Sequence, residues 1–260
     1  DIVMPFPQIL NWKGEDRSLP SELHRIQRFW PHASVAAFYA LVAAWMSLHA
    51  TGLDYAAYLI GAQGFISGQD VYSWRFEDFQ AVARNLNISH FAYPYRYSPV
   101  SALLIVPLLA LPYKTGLFLW SLLNAAAVIA SGEVLSRISP SETRRWSIRL
   151  SVWFFVPFGV SLYAGQVNPL TTLFGALAFL AIHQMRDHAA GAWAALAFLI
   201  KPIAVGLICY PIWKGRWQSV VIFAVFTTTM LALMTLVFGL GSLHSGVPLH
   251  VVDLRADAYP

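Results

Sequence analysis

The sequence predicts an all-α integral membrane protein with about seven transmembrane helices. Three observations predict it. Apolar residues make up 57% of the 260-residue chain and charged residues 12%, against about 25% charged in an ordinary soluble domain. Mean hydropathy is +0.55, which excludes a water-soluble enzyme with a conventional surface. Ten Trp, eleven Tyr and seventeen Phe are more rings than a core needs, and many flank apolar runs as interfacial anchors do.

Residues 1–31 are polar. From Leu23 through Ile26 to Trp30 the apolar positions fall at helical spacing, which predicts a helix on the membrane surface. Ser34–Ala50 carries no formal charge over about 17 residues, enough for a short span, and no Ala-x-Ala cleavage site follows it. Residues 51–97 hold Asp54, Asp70, Arg75, Glu77, Asp78, Arg84 and Arg96 among aromatics, so they form a structured loop outside the bilayer core. Pro99–Leu111 is apolar but only about 13 residues long, and is broken by Pro107 and closed by Pro112. The later uncharged segments are Thr115–Gly132, Leu150–Gln166, Asn168–Met185, Ala189–Ile200, Pro202–Trp213 and Gln218–Leu243.

The positive-inside rule decides how these cross. With Pro99–Leu111 on the outer surface, the inner side holds Lys13, Arg17, Arg25, Arg28, Arg137, Arg144, Arg145, Arg149, Arg186, Lys214 and Arg216, 11 of the 17 Lys and Arg. If that segment crosses, every later loop flips and only Lys13, Arg17, Arg25, Arg28, Lys114, Lys201 and Arg255 stay inside, 7 of 17. The first arrangement is therefore expected, with the N-terminus cytoplasmic. The same count makes Ala189–Trp213 a broken hairpin with Lys201-Pro202 near its tip, a backbone break tolerated at membrane depth only beside protein or a wet cavity. The expected organisation is an interfacial segment (1–31), a transmembrane module (32–243, outer loop 51–114) and a further outer loop (244–260). The formal charge of +4 is spread through short connections and reports orientation, not nucleic-acid binding. A single cysteine, Cys209, excludes an intrachain disulfide and any multi-cysteine metal site.

The polar residues left over collect on the outer side: Asp54, the aromatic stretch from Tyr93 to Pro99, Gly165 to Pro169, and Lys201-Pro202. Ionisable groups at membrane depth cost a few kcal/mol each and are functional candidates. Each also has a plain structural role available. Asp54 would cap a helix over Tyr55–Ile66, Gln166 and Asn168 flank an Asn-Pro turn, and Lys201 could snorkel to the interface. A cap would lower the Asp54 pKa, whereas burial would raise it. His244, His250 and Asp253 match no zinc spacing, and no Gly-rich phosphate loop, nucleophile elbow or metalloprotease motif is present.

Leu53-Asp54-Tyr55-Ala56-Ala57-Tyr58 with Gly68 and Val71-Tyr72; Tyr95-Arg96-Tyr97-Ser98-Pro99; Pro107 and Leu111-Pro112; Trp120 and Asn124; Gly165-Gln166-Val167-Asn168; Gly191; Lys201-Pro202; and Arg216-Trp217 follow one another in an order that resembles bacterial polyprenol-phosphate-mannose-dependent α-mannosyltransferases. These belong to the C-type glycosyltransferase superfamily. The resemblance runs from about residue 50 to about residue 217. It implies a conserved module of about seven membrane helices, surface-lying helices and a catalytic carboxylate in the first outer loop, and an inverting transfer that makes an α-mannoside from a β-linked donor. Members of that family carry several more helices after the module. The resemblance therefore implies either a chain that continues beyond Pro260 or a shortened, inactive relative serving as accessory subunit of a larger membrane complex.

The expectation is a multi-pass protein of the bacterial inner (plasma) membrane. It would transfer a sugar, mannose, from a polyprenyl-phosphate donor to a lipid or glycan acceptor at the outer face. Such a transfer needs a base for the acceptor hydroxyl and positive charge for the departing phosphate. Asp54 would be the base, Lys201 and Arg96 would bind the donor phosphate, and Gln166, Asn168, Tyr58 and Tyr97 would bind the sugar or acceptor. Because a phosphate monoester leaves readily, no cofactor or metal is required. A transporter would show inverted repeats, and none is evident.

Overall fold

The computed structural model describes residues 21–88 and 95–238, with side chains from Trp30 to Leu236. Among the described residues all regular structure is helical and no strand occurs. Residues 1–20, 89–94 and 239–260, including Tyr93, His244, His250 and Asp253, lie outside the described residues.

Helix α1 (Ser21–His49) passes through Pro31 without breaking. The surface helix and first span expected from the sequence are thus one continuous helix. A proline deletes a single i→i−4 bond, and here the flanking turns carry on. Next come α2 (Leu53–Ile66), a 3-10 turn at Val71–Ser73, and α3 (Phe76–Asn85). Pro99–Ala110 is not a straight helix: α4 (Pro99–Leu103) gives way to a 3-10 turn at Val106–Ala110, where Pro107 has no N–H to extend the α-ladder. Helix α5 (Tyr113–Ser136) is followed by α6 (Glu142–Trp153) and α7 (Val156–Ala164), which meet at Phe154-Phe155 just before Pro157. The remaining helices are α8 (Asn168–His183), α9 (Asp187–Ile200), a 3-10 stretch at Pro202–Ile208, α10 (Cys209–Trp213) and α11 (Trp217–Phe238).

Among the described residues four segments are long and apolar enough to cross a membrane: Trp30–His49, Tyr113–Ser136, Glu142–Ala164 and Trp217–Leu236. Helices α8 and α9 measure about 24 and 21 Å at 1.5 Å per residue, short of the roughly 30 Å hydrocarbon layer. Helix α5 is the hub of the bundle, packed on α1, α6 and α8, while α9 lies between α8 and α11. Only 11% of Trp217–Leu236 is buried against protein. A helix apolar all round with so little protein cover needs lipid around it.

Cross-links at the two ends of the bundle fix the helix directions. At one end Tyr113 donates its hydroxyl to the Thr51 carbonyl and Lys114 its ammonium to the Ala50 carbonyl at 3.2 Å, tying the start of α5 to the end of α1. At the other end His32 of α1 and Arg149 of α6 meet Glu133 of α5 at 2.9 and 3.0 Å. The expected hairpin is present in the backbone. Arg216, after α10, pairs with Asp187, the first residue of α9, at 2.7 Å, so the chain leaves Asp187, turns at Lys201 and returns to its starting level. Gly191 permits the neighbouring α9–α11 contact, because a Cβ there would lie 2.4 Å from the Ser219 carbonyl oxygen.

Candidate active site

The site end of the molecule is built around the first turn of α2. Its N-cap is Gly52, in a left-handed conformation with φ 58°. Asp54 is therefore the second residue of the helix and caps nothing, which corrects the capping role available from sequence. The carboxylate keeps the favourable field of the helix N-terminus. Gly165, at the end of α7, is also left-handed with φ 74°, and a Cβ on it would sit 2.6 Å from the Tyr55 Cβ. That close approach brings the α7–α8 turn against α2. Trp120 of α5 fixes the turn by donating its indole N–H to the Gly165 carbonyl at 2.8 Å.

The consequence is a directed line of hydrogen bonds. Lys201 donates to the Asn168 side-chain oxygen at 2.5 Å. The Asn168 amide nitrogen donates to the Gln166 side-chain oxygen and to the Ser161 hydroxyl at 2.9 Å. The line ends at Gln166, whose side chain lies close enough to the Asp54 carboxylate to hold its pKa down. All four residues are part-buried, and the opposite charges of Asp54 and Lys201 attract each other. Burial nevertheless dominates, pushing the Asp54 carboxyl above its ordinary range, with the Gln166 side chain and the Lys201 charge offsetting part of the rise. A half-buried carboxylate so placed is a stronger base than one in water.

Lys201 does not reach outward as a snorkelling side chain would; its ammonium turns inward to Asn168. Ser101 of α4 helps set that position by donating to the Ile200 carbonyl at 2.8 Å, fully buried. Gln166 and Asn168 do flank a turn, and the same side chains carry the line from Lys201 to Asp54. Tyr58 is wholly buried, lies beside Val167 and packs edge-on to Tyr97 with ring centroids 4.5 Å apart. Its place is thus behind the site, holding Tyr97 and the 165–168 turn. Tyr97 is part-exposed, with its carbonyl held by the Tyr72 hydroxyl at 2.7 Å. Arg96 is exposed and makes no hydrogen bond or ion pair with a described residue. The structure adds Ser161 and Ser101, which sequence reading passed over because a serine in an apolar helix bonds its own backbone as readily as a distant partner.

A half-buried carboxylate near the start of a largely buried helix, beside two amides that lead to a lysine at a helix break, offers a transferase in an all-helical membrane bundle both a base and a cation. The comparisons with known proteins place the chain within that class. Glycosyltransferase family 87 matches residues 95–245, and the chain belongs to that family. The matched stretch contains Tyr97, Gln166, Asn168 and Lys201, while Asp54 and Tyr58 precede it. An Alpha-(1->3)-arabinofuranosyltransferase of Corynebacterium glutamicum is 23% identical over 182 residues, 65% of this chain. The match covers 38% of that protein's length. No solved structure matches.

Proposed function

We propose that the protein transfers a sugar from a polyprenyl-phosphate donor to a lipid or glycan acceptor at the face of the membrane carrying Asp54. The reading is carried by the line of hydrogen bonds Lys201–Asn168–Gln166, which ends beside Asp54 and so puts a base and a phosphate-binding cation at the two ends of one polar strip. The acceptor hydroxyl oxygen attacks the anomeric carbon from the face opposite the phosphate. Asp54 takes the hydroxyl proton, the bond between anomeric carbon and phosphate oxygen breaks, and its electron pair leaves with the polyprenyl phosphate. Lys201 meets the charge growing on that phosphate, and Arg96 reaches it from the loop above. Gln166, Asn168 and Tyr97 orient sugar hydroxyls, and Tyr58 positions Tyr97. The stereochemical outcome is inversion.

Mannose is the sugar the motif resemblance favours; similarity to an arabinofuranosyltransferase favours a pentofuranose. Membranes containing the protein are offered labelled polyprenyl-phosphate mannose and labelled polyprenyl-phosphate arabinose. Transfer from the first, lost in Asp54→Asn, is the expected result. Transfer from the second alone changes the sugar and keeps the mechanism. Transfer from neither returns the protein to an accessory role in a larger membrane complex.

A further inference from the structure

At the foot of the α9–α10 hairpin, about 21 Å of helix away from Lys201, lies a pocket of about 360 Å³ that the transfer reaction does not use. Its walls are of two kinds. Phe179 and Ile182 of α8 and Tyr210 of α10 are apolar or aromatic; His183, Lys214 and Arg216 are basic. No carboxylate lines it. The neighbouring acid, Asp187, is already engaged by Arg216 at 2.7 Å and by the Ser219 hydroxyl at 2.7 Å. Lys214 has no carboxylate partner among the described residues; its ammonium lies 4.5 Å from the Trp213 ring centroid and 5.8 Å from that of Tyr210. Met185 in the pocket wall is 75% exposed, and Trp213 and Trp217, the chain neighbours of Lys214 and Arg216, are 76% and 62% exposed, as side chains at the boundary between lipid and water are.

We infer that this pocket binds the phosphate headgroup of an anionic phospholipid from the leaflet opposite the Asp54 site. Basic pockets between membrane helices recognise such headgroups, and the surplus of cations over acids supplies the charge. The apolar wall from α8 and α10 gives the adjoining acyl chain a surface that free phosphate would leave empty. The bound lipid would bridge α8, α10 and the start of α11, and so brace the foot of the hairpin whose tip carries Lys201.

The test uses the protein purified in detergent, incubated with phosphatidylglycerol or phosphatidylcholine, with bound lipid counted by native mass spectrometry. Phosphatidylglycerol is expected to be retained about fivefold or more over phosphatidylcholine. Lys214→Gln should weaken that retention about fivefold and Lys214→Arg should keep it. Arg186→Gln, which removes an exposed cation at the same end but outside the pocket, should leave it unchanged. Equal retention of the two lipids, or an equal loss in Arg186→Gln and Lys214→Gln, overturns the site. Displacement of phosphatidylglycerol by an equal concentration of inorganic phosphate overturns the lipid as its ligand.

Discussion

Asp54 and Lys201 carry opposite charges in surroundings that penalise both, and their separate tasks can be pulled apart. Asp54→Asn keeps the shape and a polar neighbour for Gln166 but ends proton acceptance, so transfer should fall about 100-fold or more with donor binding little changed. The same variant reports the cost of burial. With the folded pKa raised above the ordinary 3.8, the folded state holds a proton that the unfolded state has released, so stability falls as pH rises from the unfolded value through the folded one. Thermal unfolding in detergent should therefore show Asp54→Asn more stable than the parent protein at pH 7, with the gain vanishing near pH 3. Transfer by the parent enzyme should decline on acidification through a pKa above the usual carboxylate range. Lys201→Met keeps the apolar stem and removes the charge, so both donor affinity and turnover should drop; a purely structural lysine would leave them unchanged and stability equal or higher.

Between elements, the contact that matters is the α7–α8 turn lying against α2. Gly165→Ala must place a Cβ 2.6 Å from that of Tyr55 at φ 74°, a combination of strain and overlap that costs about 1–3 kcal/mol. Separating the turn from α2 also pulls Gln166 from Asp54, so transfer should fall by more than the loss of folded protein accounts for. Transfer rates normalised to folded protein, measured beside unfolding midpoints, would show this. Equal losses in the two would mean that the turn is scaffold alone.

Across the whole molecule, charge is unequally shared between the two ends. Arg137, Arg144, Arg145, Arg149, Arg186, Lys214 and Arg216 gather at the end marked by the Glu133 and Asp187 pairs, opposite Asp54. By the positive-inside rule we propose that this end is cytoplasmic. In a Cys209→Ala background, an impermeant thiol reagent added to intact cells should label Glu77→Cys, and should label Arg144→Cys only after the membrane is opened. External labelling at position 144 would reverse the orientation and the side on which sugar is transferred.

Hydropathy and charge are properties of short stretches, and whatever depends on them was readable along the chain: an all-helical membrane protein, the broken Pro99–Ala110 segment, the turn at Lys201, and the four separated places where polar residues gather. Sequence alone left Asp54 divided between cap and buried base, and separated the surface helix from the first span at Pro31. The tertiary structure decided both. Whether Asp54 is capping or buried depends on Gly52 adopting the left-handed conformation and on residues more than a hundred positions away covering it, and neither leaves a local pattern. Likewise Lys201 turns inward because Asn168 waits there, held by Ser161 and Gln166, and the hairpin returns to its foot because Arg216 meets Asp187. Such partners are set by how helices stack, whereas composition and periodicity register only what each helix must hide from water.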